Sequence, residues 1–162
     1  MTAEHNIPPV WDEHSRVLIL GSFPSVKSRE GQFFYHHPQN RFWRVLAAVL
    51  GCETPTTVPE KRAMLLAHGV ALWDVIASCE ITGSSDSSIR NAVPNDVGPI
   101  AANVQAIFCN GQTAYRLYVR FLEPVLGRPA IPLPSTSPAN AAWSLERLTD
   151  AWRAALGPAL NL

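Results

Sequence analysis

Several things are scarce in this chain, and each shortage excludes a class of protein. Long apolar runs are missing. The densest is Val17-Leu18-Ile19-Leu20, far short of the roughly 20 residues that span a bilayer, so no membrane segment is expected. The first nine residues include Glu4 and His5 and have no apolar stretch; no signal peptide is read there, and a cytoplasmic protein is expected. Cysteine is limited to three residues, Cys52, Cys79 and Cys109. Their spacing matches neither a zinc site nor a redox pair, and three thiolates are too few for the usual four-thiolate iron–sulfur cluster. They read as buried thiols in a reducing compartment. Net charge is also absent, with 13 basic against 13 acidic residues, so bulk charge is not what would hold a polyanion. No internal repeat or low-complexity linker interrupts the chain.

What remains describes one domain. The 162 residues are 47% apolar, enough for a core. Charge is unevenly placed: Arg16, Lys27, Arg29, Arg41 and Arg44 fall between residues 16 and 44, with Glu30 the only acid among them. All cations except Lys27 and Lys61 are arginines, the side chain suited to forked phosphate contacts.

Residues 16–20 form an apolar run ended by Gly21 and read as a buried strand. From Asn40 the period turns helical through Phe42, Trp43, Leu46, Val49 and Leu50, with Gly51 as the stop. Pro59 opens a second helix that Gly69 follows. A second strand is expected over 70–76, and residues 78–95 read as polar and irregular. Further on, a helix follows Pro94, a strand covers 104–109, a helix covers 111–121 and a short strand covers 130–133. Pro138 is read as the start of a final helix, which runs from Trp143 to Leu156 with Leu145, Leu148, Trp152 and Leu156 on one face. Strands alternating with helices predict an α/β three-layer sandwich around a four-stranded, mainly parallel sheet. Ligands of such sheets bind beyond the carboxyl ends of the strands. The loops that start at Gly21, Asp74, Asn110 and Leu133 are therefore the ones that matter.

Two of these loops carry unusual chemistry. The first reads Gly21-Ser22-Phe23-Pro24-Ser25-Val26-Lys27-Ser28 and continues to Tyr35-His36-His37-Pro38-Gln39-Asn40-Arg41-Phe42-Trp43. Its glycine and serines suit close backbone approach to a phosphate, but it lacks the Gly-Lys-Ser/Thr of a P-loop. The other reads Leu133-Pro134-Ser135-Thr136-Ser137-Pro138-Ala139-Asn140. Its hydroxyls either cap the helix that follows or, with the free amides behind them, hold a phosphate.

Together these loops resemble the uracil-DNA glycosylase superfamily, and most closely its hypoxanthine-DNA glycosylase branch. Gly21-Ser22-Phe23-Pro24-Ser25 stands where the superfamily has Gly-x-(Asn or Asp)-Pro-x. His37-Pro38-Gln39-Asn40-Arg41-Phe42-Trp43 is similar to the His-Pro-x-Asn-Arg-Phe-Trp segment of the mismatch-specific enzymes. Leu133 to Asn140 stands for the second motif, His/Asn-Pro-Ser. The likeness covers roughly residues 16–156.

Two departures matter. Phe23 replaces the polar catalytic residue of the first motif, and Leu133 replaces the donor of the second. In the hypoxanthine branch the resemblance gives the catalytic role to the Asn of the His-Pro-x-Asn segment, here Asn40; an amide in that place also caps a helix well. The resemblance further makes Tyr35 the ring that stacks on a flipped base, and Phe23 either pocket wall or plain core. It puts Asp74 near the base-reading position. A carboxylate there would accept N1–H of hypoxanthine and repel the N1 lone pair of adenine; an Asp that simply caps the next turn is the competing use. Gly21 and Ser22 complete the implied base site. Ser25, Lys27, Pro134, Ser135, Thr136, Ser137 and Asn140 are the implied DNA contacts. Arg90 either reaches a phosphate or pairs with Asp86, and His36 and His37 are expected to be exposed.

The implied protein is a monomeric, monofunctional DNA glycosylase that needs no metal, cluster or cofactor. Its partner is DNA containing deaminated bases, with hypoxanthine the expected lesion, and the protein would sit at the nucleoid when acting. The rivals are the same fold acting on uracil, mismatched thymine or xanthine, a lesion binder without catalysis, and a hydrolase of free nucleosides.

Overall fold

The computed structural model describes residues 2–162, which form two sheets and seven helices. In chain order they are β1 (Thr2–Glu4), β2 (Val17–Gly21), α1 (Val26–Gly31), α2 (Phe42–Leu50), α3 (Val58–Ala67), β3 (Val70–Asp74) and β4 (Ile76–Glu80). There follow β5 (Arg90–Pro94), α4 (Gly98–Ala101), β6 (Ala106–Asn110), α5 (Gln112–Phe121), α6 (Glu123–Leu126), β7 (Ile131–Leu133) and α7 (Leu145–Leu160).

The main sheet has the order β3-β2-β6-β7 and every neighbour is parallel. Its centre, β2, is buried along its whole length, which is why the strand reads as an unbroken apolar run rather than an alternating one. Alternate residues serve opposite faces. Val17 and Ile19 pack with α2, α3 and α7, through Leu46, Leu65, Trp152 and Leu156. Leu18 and Leu20 face Ile76 of β4, Ile100 of α4 and Tyr118 of α5. The chain leaves β2 toward β3 on one side and later returns on the other as β6. The strand order therefore reverses at β2, and the crevice of such a sheet opens at that point.

Local signals account for the helices. Helix α2 stops at Gly51, whose φ of 74° is the left-handed value that glycine adopts freely. Helix α3 starts with a reciprocal capping box between Thr57 and Glu60. The hydrogen bonds that Glu60 accepts from Thr56 and Thr57 hold its carboxyl down to about 2.

Four expectations need correction. The polar stretch 78–95 is not irregular: β4 and β5 pair antiparallel, and β1 joins β4 to make a second sheet of order β1-β4-β5. The strand expected over 70–76 ends at Asp74. Val75 turns the chain, donating its N–H to the Gly21 carbonyl at 2.8 Å, and Ile76 begins the second sheet. The last helix starts at Leu145, capped by Ser144, because residues 137–143 are held in a loop; Leu145 itself is exposed. Cys79 and Cys109 are buried as expected, and burial pushes the Cys109 thiol up to about 12, but Cys52 lies exposed just past the end of α2. Among the described residues no helix is long and apolar enough to cross a membrane.

Candidate active site

All four loops beyond the carboxyl ends of the main sheet meet at one cavity of about 330 Å³, within the range of small-molecule sites. Gly21 and Asp74 close β2 and β3 at paired register. Asn110 ends β6, and Ser135 to Ala139 follow β7.

Asn40 sits in the wall just before α2. Its Oδ1 accepts from the Phe42 N–H at 2.9 Å and from the Thr136 hydroxyl at 2.9 Å. Those two donors fix the orientation of the amide, because the backbone N–H needs an oxygen facing it. Asn40 Nδ2 then has no hydrogen-bond partner among the described residues. The residue thus serves both uses weighed from the sequence: its oxygen closes the turn into α2, and its nitrogen offers two donors.

Thr136, fully buried, ties the wall together. Its hydroxyl accepts from Asn110 Nδ2 at 3.0 Å, and its backbone N–H donates to Asn110 Oδ1 at 3.1 Å. The Arg41 N–H donates to the Thr136 carbonyl at 3.1 Å. Thr136→Val would leave the Asn110 amide without its acceptor and Asn40 Oδ1 with one donor. We expect a loss of about 1–3 kcal/mol in denaturant unfolding; an unchanged midpoint would show that the network contributes nothing to stability.

Asp74 is buried, and a ring nitrogen of His5, Nε2, lies 2.8 Å from its Oδ2. His5 Nδ1 accepts the Ile7 N–H at 3.2 Å, so in the neutral ring the proton sits on Nε2 and is given to Asp74. Phe23, Phe34 and Trp73 surround that imidazole. The other carboxylate oxygen, Oδ1, faces Gly21: a Cβ added there would lie 2.3 Å from it and 2.9 Å from the Tyr35 hydroxyl. Tyr35 stacks on Phe42 with ring centroids 4.1 Å apart. Its hydroxyl is the one buried side-chain polar atom without a hydrogen-bond partner among the described residues. Burial, and then the charge of Asp74, hold this phenol far above the usual tyrosine range, so it stays protonated.

A second carboxylate lines the cavity. Asp86 accepts the Ser22 hydroxyl at 2.8 Å. Partial burial, and the charge of Asp74, raise it above the ordinary Asp range, while the Ser22 bond pulls the other way. The residue still meets solvent, which screens the effect. Its loop is fastened to the first loop twice more, by the Val26 N–H to Ser84 Oγ and by Arg29 to the Gly83 carbonyl.

A profile of the uracil DNA glycosylase superfamily matches residues 8–156. The chain belongs to that superfamily. A Methanosarcina acetivorans protein named hypoxanthine DNA glycosylase is 34% identical over 158 residues, spanning 93% of this chain and 96% of the relative. A protein of the same name from Methanosarcina barkeri is 31% identical over 113 residues, 67% of this chain and 72% of that one. A solution NMR structure from Methanosarcina acetivorans, described as a candidate uracil DNA glycosylase, superposes with a TM-score of 0.78 at 30% identity, over 95% of this chain and 98% of the other.

Within this superfamily fold, the residues singled out in the sequence divide into two groups. Gly21, Ser22, Phe23, Ser25, Tyr35, Asn40, Asp74, Ser135, Thr136 and Ser137 all line the cavity. Phe23 is both wall and core, with Arg29 above its ring. Ser25 is the N-cap of α1. Lys27, Pro134 and Asn140 do not line it: Lys27 is exposed on α1, the Pro134 carbonyl takes the Trp152 indole N–H, and Asn140 Nδ2 donates to the Ser135 carbonyl. Of the two histidines, His36 is exposed as expected. His37 is half-buried and lines the cavity, because the turn into α2 brings it inward. Arg90 neither pairs with Asp86 nor reaches the cavity; it donates to the Ser87 and Ile89 carbonyls of its own loop. Leu133 is core. Sequence reasoning missed His5, Asp86 and the inward role of Asn110. His5 carries no local signal, since its partner is 69 residues away. Among the described residues no group of three or more His, Cys, Asp or Glu gathers as a metal site.

Proposed function

We propose that this protein is a monofunctional DNA glycosylase that takes a deaminated base, hypoxanthine first, out of the helix and hydrolyses its N-glycosidic bond, leaving an abasic site. One observation carries the reading. A single cavity at the strand ends holds both an unpartnered amide donor, Asn40 Nδ2, and a buried carboxylate with one oxygen turned to the base side, Asp74 Oδ1. Two relatives named hypoxanthine DNA glycosylase, 34% and 31% identical, support it.

The chemistry sets the roles. The bond is out of reach inside a duplex, so the nucleotide must swing out, at a cost of a few kcal/mol that is least for a mispaired base. Tyr35, its ring backed by Phe42, walls the base site together with Phe23. As the bond lengthens, the purine gains negative charge and the sugar gains positive charge. Asn40 has no useful basicity; its N–H groups donate to the leaving purine or hold the attacking water, and in a site closed to solvent such fixed donors act strongly. Asp74 accepts N1–H of hypoxanthine. The hydroxyl-bearing loop from Ser135 to Ser137 and the loop at Ser25 flank the opening as the phosphate contacts, with Lys27 on the outer surface. Neither Lys27 nor Lys61 lines the cavity. Lys61 instead lies over the Trp43 ring. Among the described residues no amine is thus placed to attack the sugar, which favours simple hydrolysis over a lyase step.

The test is a panel of labelled oligonucleotides, each with one hypoxanthine, uracil, xanthine or mismatched thymine, incubated with enzyme and then treated with alkali. Breaks at hypoxanthine are expected. Breaks confined to uracil would move the assignment to another lesion. Tight binding without breaks would make this a lesion binder, the reading that Phe23 favours by bringing no polar atom to the cavity.

A further inference from the structure

Burying a phenol without any hydrogen-bond partner is costly, and proteins rarely do it without a reason. Here the reason does not lie in the protein. The nearby Asn110 amide gives its oxygen and one N–H to Thr136, its second N–H can only donate toward the hydroxyl oxygen, and Asp74 Oδ2 is taken by His5, so the proton of the phenol is left without an acceptor. What is left at this end of the cavity is one donor, the Tyr35 hydroxyl, and one acceptor, Asp74 Oδ1. Both lie against the same bare Cα, that of Gly21, where any side chain would collide with them. Tyr35 itself is held at a φ of 51°, a left-handed value uncommon for an aromatic residue.

We infer that the Tyr35 hydroxyl and Asp74 Oδ1 together read a lactam edge: the hydroxyl donates to the base carbonyl, O6 of hypoxanthine, while Asp74 accepts the adjacent N1–H. Deamination of adenine creates this edge, turning an N1 acceptor beside an amino donor into an N1–H donor beside a carbonyl acceptor. Adenine therefore meets a donor against its amino group and a carboxylate against its lone pair, two mismatches instead of one. Uracil and xanthine present the same edge as hypoxanthine, so the pair recognises the product of deamination as a chemical class. Guanine shares the edge as well, but its strong pair with cytosine raises the cost of flipping it. The phenol stays protonated across the working pH range and is always a donor. The base carbonyl would be the acceptor that the hydroxyl lacks within the protein.

This inference rests on the hypoxanthine reading, and the experiment separates the two. Tyr35→Phe keeps the ring and its contact with Phe42 and removes only the hydroxyl. Single-turnover excision of hypoxanthine by saturating enzyme is expected to slow about tenfold, the effect of one hydrogen bond. Thermal stability should be unchanged or raised, because an unsatisfied buried group has been deleted. Binding to DNA that already carries an abasic site, which has no base to read, should not change. With a 6-thio analogue of hypoxanthine, whose sulfur is a weak acceptor, the gap between wild type and variant should narrow. An excision rate within twofold of wild type would overturn the inference. So would a loss of rate matched by equal losses of stability or of abasic-site binding, since that would show general damage. If instead the wild-type protein makes no break at hypoxanthine, the functional reading fails and not this assignment alone.

Discussion

Asn40→Ala should slow single-turnover excision by about a hundredfold to a thousandfold, the range seen when one preorganised donor is removed from an active site. The structure explains why one amide should matter so much. Phe23 leaves the first loop without a polar group aimed at the reacting bond, and Asn40 Nδ2 is a donor with no other employment. The alanine variant also loses the turn-closing bond to Phe42, at about 1 kcal/mol by analogy with lost helix caps, so stability should fall modestly. A companion variant separates the two effects. Asn40→Asp keeps an oxygen for the Phe42 N–H and the Thr136 hydroxyl, so the fold is retained. It removes the donors and places negative charge beside a leaving group that is itself becoming negative. Excision by this variant should be at least as slow as by the alanine one. Wild-type rates in the alanine variant would remove Asn40 from the catalytic list. Wild-type rates in the aspartate variant alone would show that its oxygen, and not its nitrogen, does the chemistry.

The second large effect concerns Asp74. In Asp74→Asn, His5 continues to donate its Nε2–H, now to the amide oxygen, since that nitrogen carries the proton fixed by the Ile7 contact. The amide nitrogen is then turned toward the base. Its N–H groups oppose N1–H of hypoxanthine, donor against donor, but suit the N1 lone pair of adenine. Hypoxanthine excision should drop about a hundredfold or more, because sites that depend on matched buried hydrogen bonds discriminate steeply. Preference over adenine should shrink in the same measure. The measurement is excision from paired oligonucleotides that differ only in that base. An unchanged preference would mean that Asp74 is a structural partner of His5 and no reader at all.

Much of this site could be read from the chain before any coordinates. A short unbroken apolar run of β-branched and leucine residues stopped by a glycine fits a strand buried on both faces, and that placed Gly21 at a strand end. The helical period starting at Phe42 placed Asn40 at a helix entrance, and the alternation of strands and helices sent four loops to one rim. Other parts left no local trace. The strands β4 and β5 lack a clean apolar alternation. Their pairing carries register shifts, and Asn91 sits at a φ of 51°, so periodicity had nothing to detect. The loop before α7 looks like a helix start because Pro138 suits one. It is held open by Arg41, whose guanidinium reaches the carbonyls of Ser137, Asn140 and Trp143. That contact spans about a hundred positions, and carbonyl acceptors have no residue identity to betray them. His5 is the clearest case: an ordinary polar residue near the amino terminus, brought to the site only because β1 adds to the far edge of β4.

That edge strand has a practical consequence for anyone who handles the protein. Thr2 to Glu4 are pinned to the second sheet, and the residue after them holds the carboxylate assigned to base recognition. Trimming by an aminopeptidase as far as His5 would remove β1 and the partner of Asp74 while leaving the main sheet and Asn40 untouched, and the ratio of hypoxanthine to adenine excision by the trimmed protein is expected to fall. Tags belong after α7, which ends away from the cavity lining.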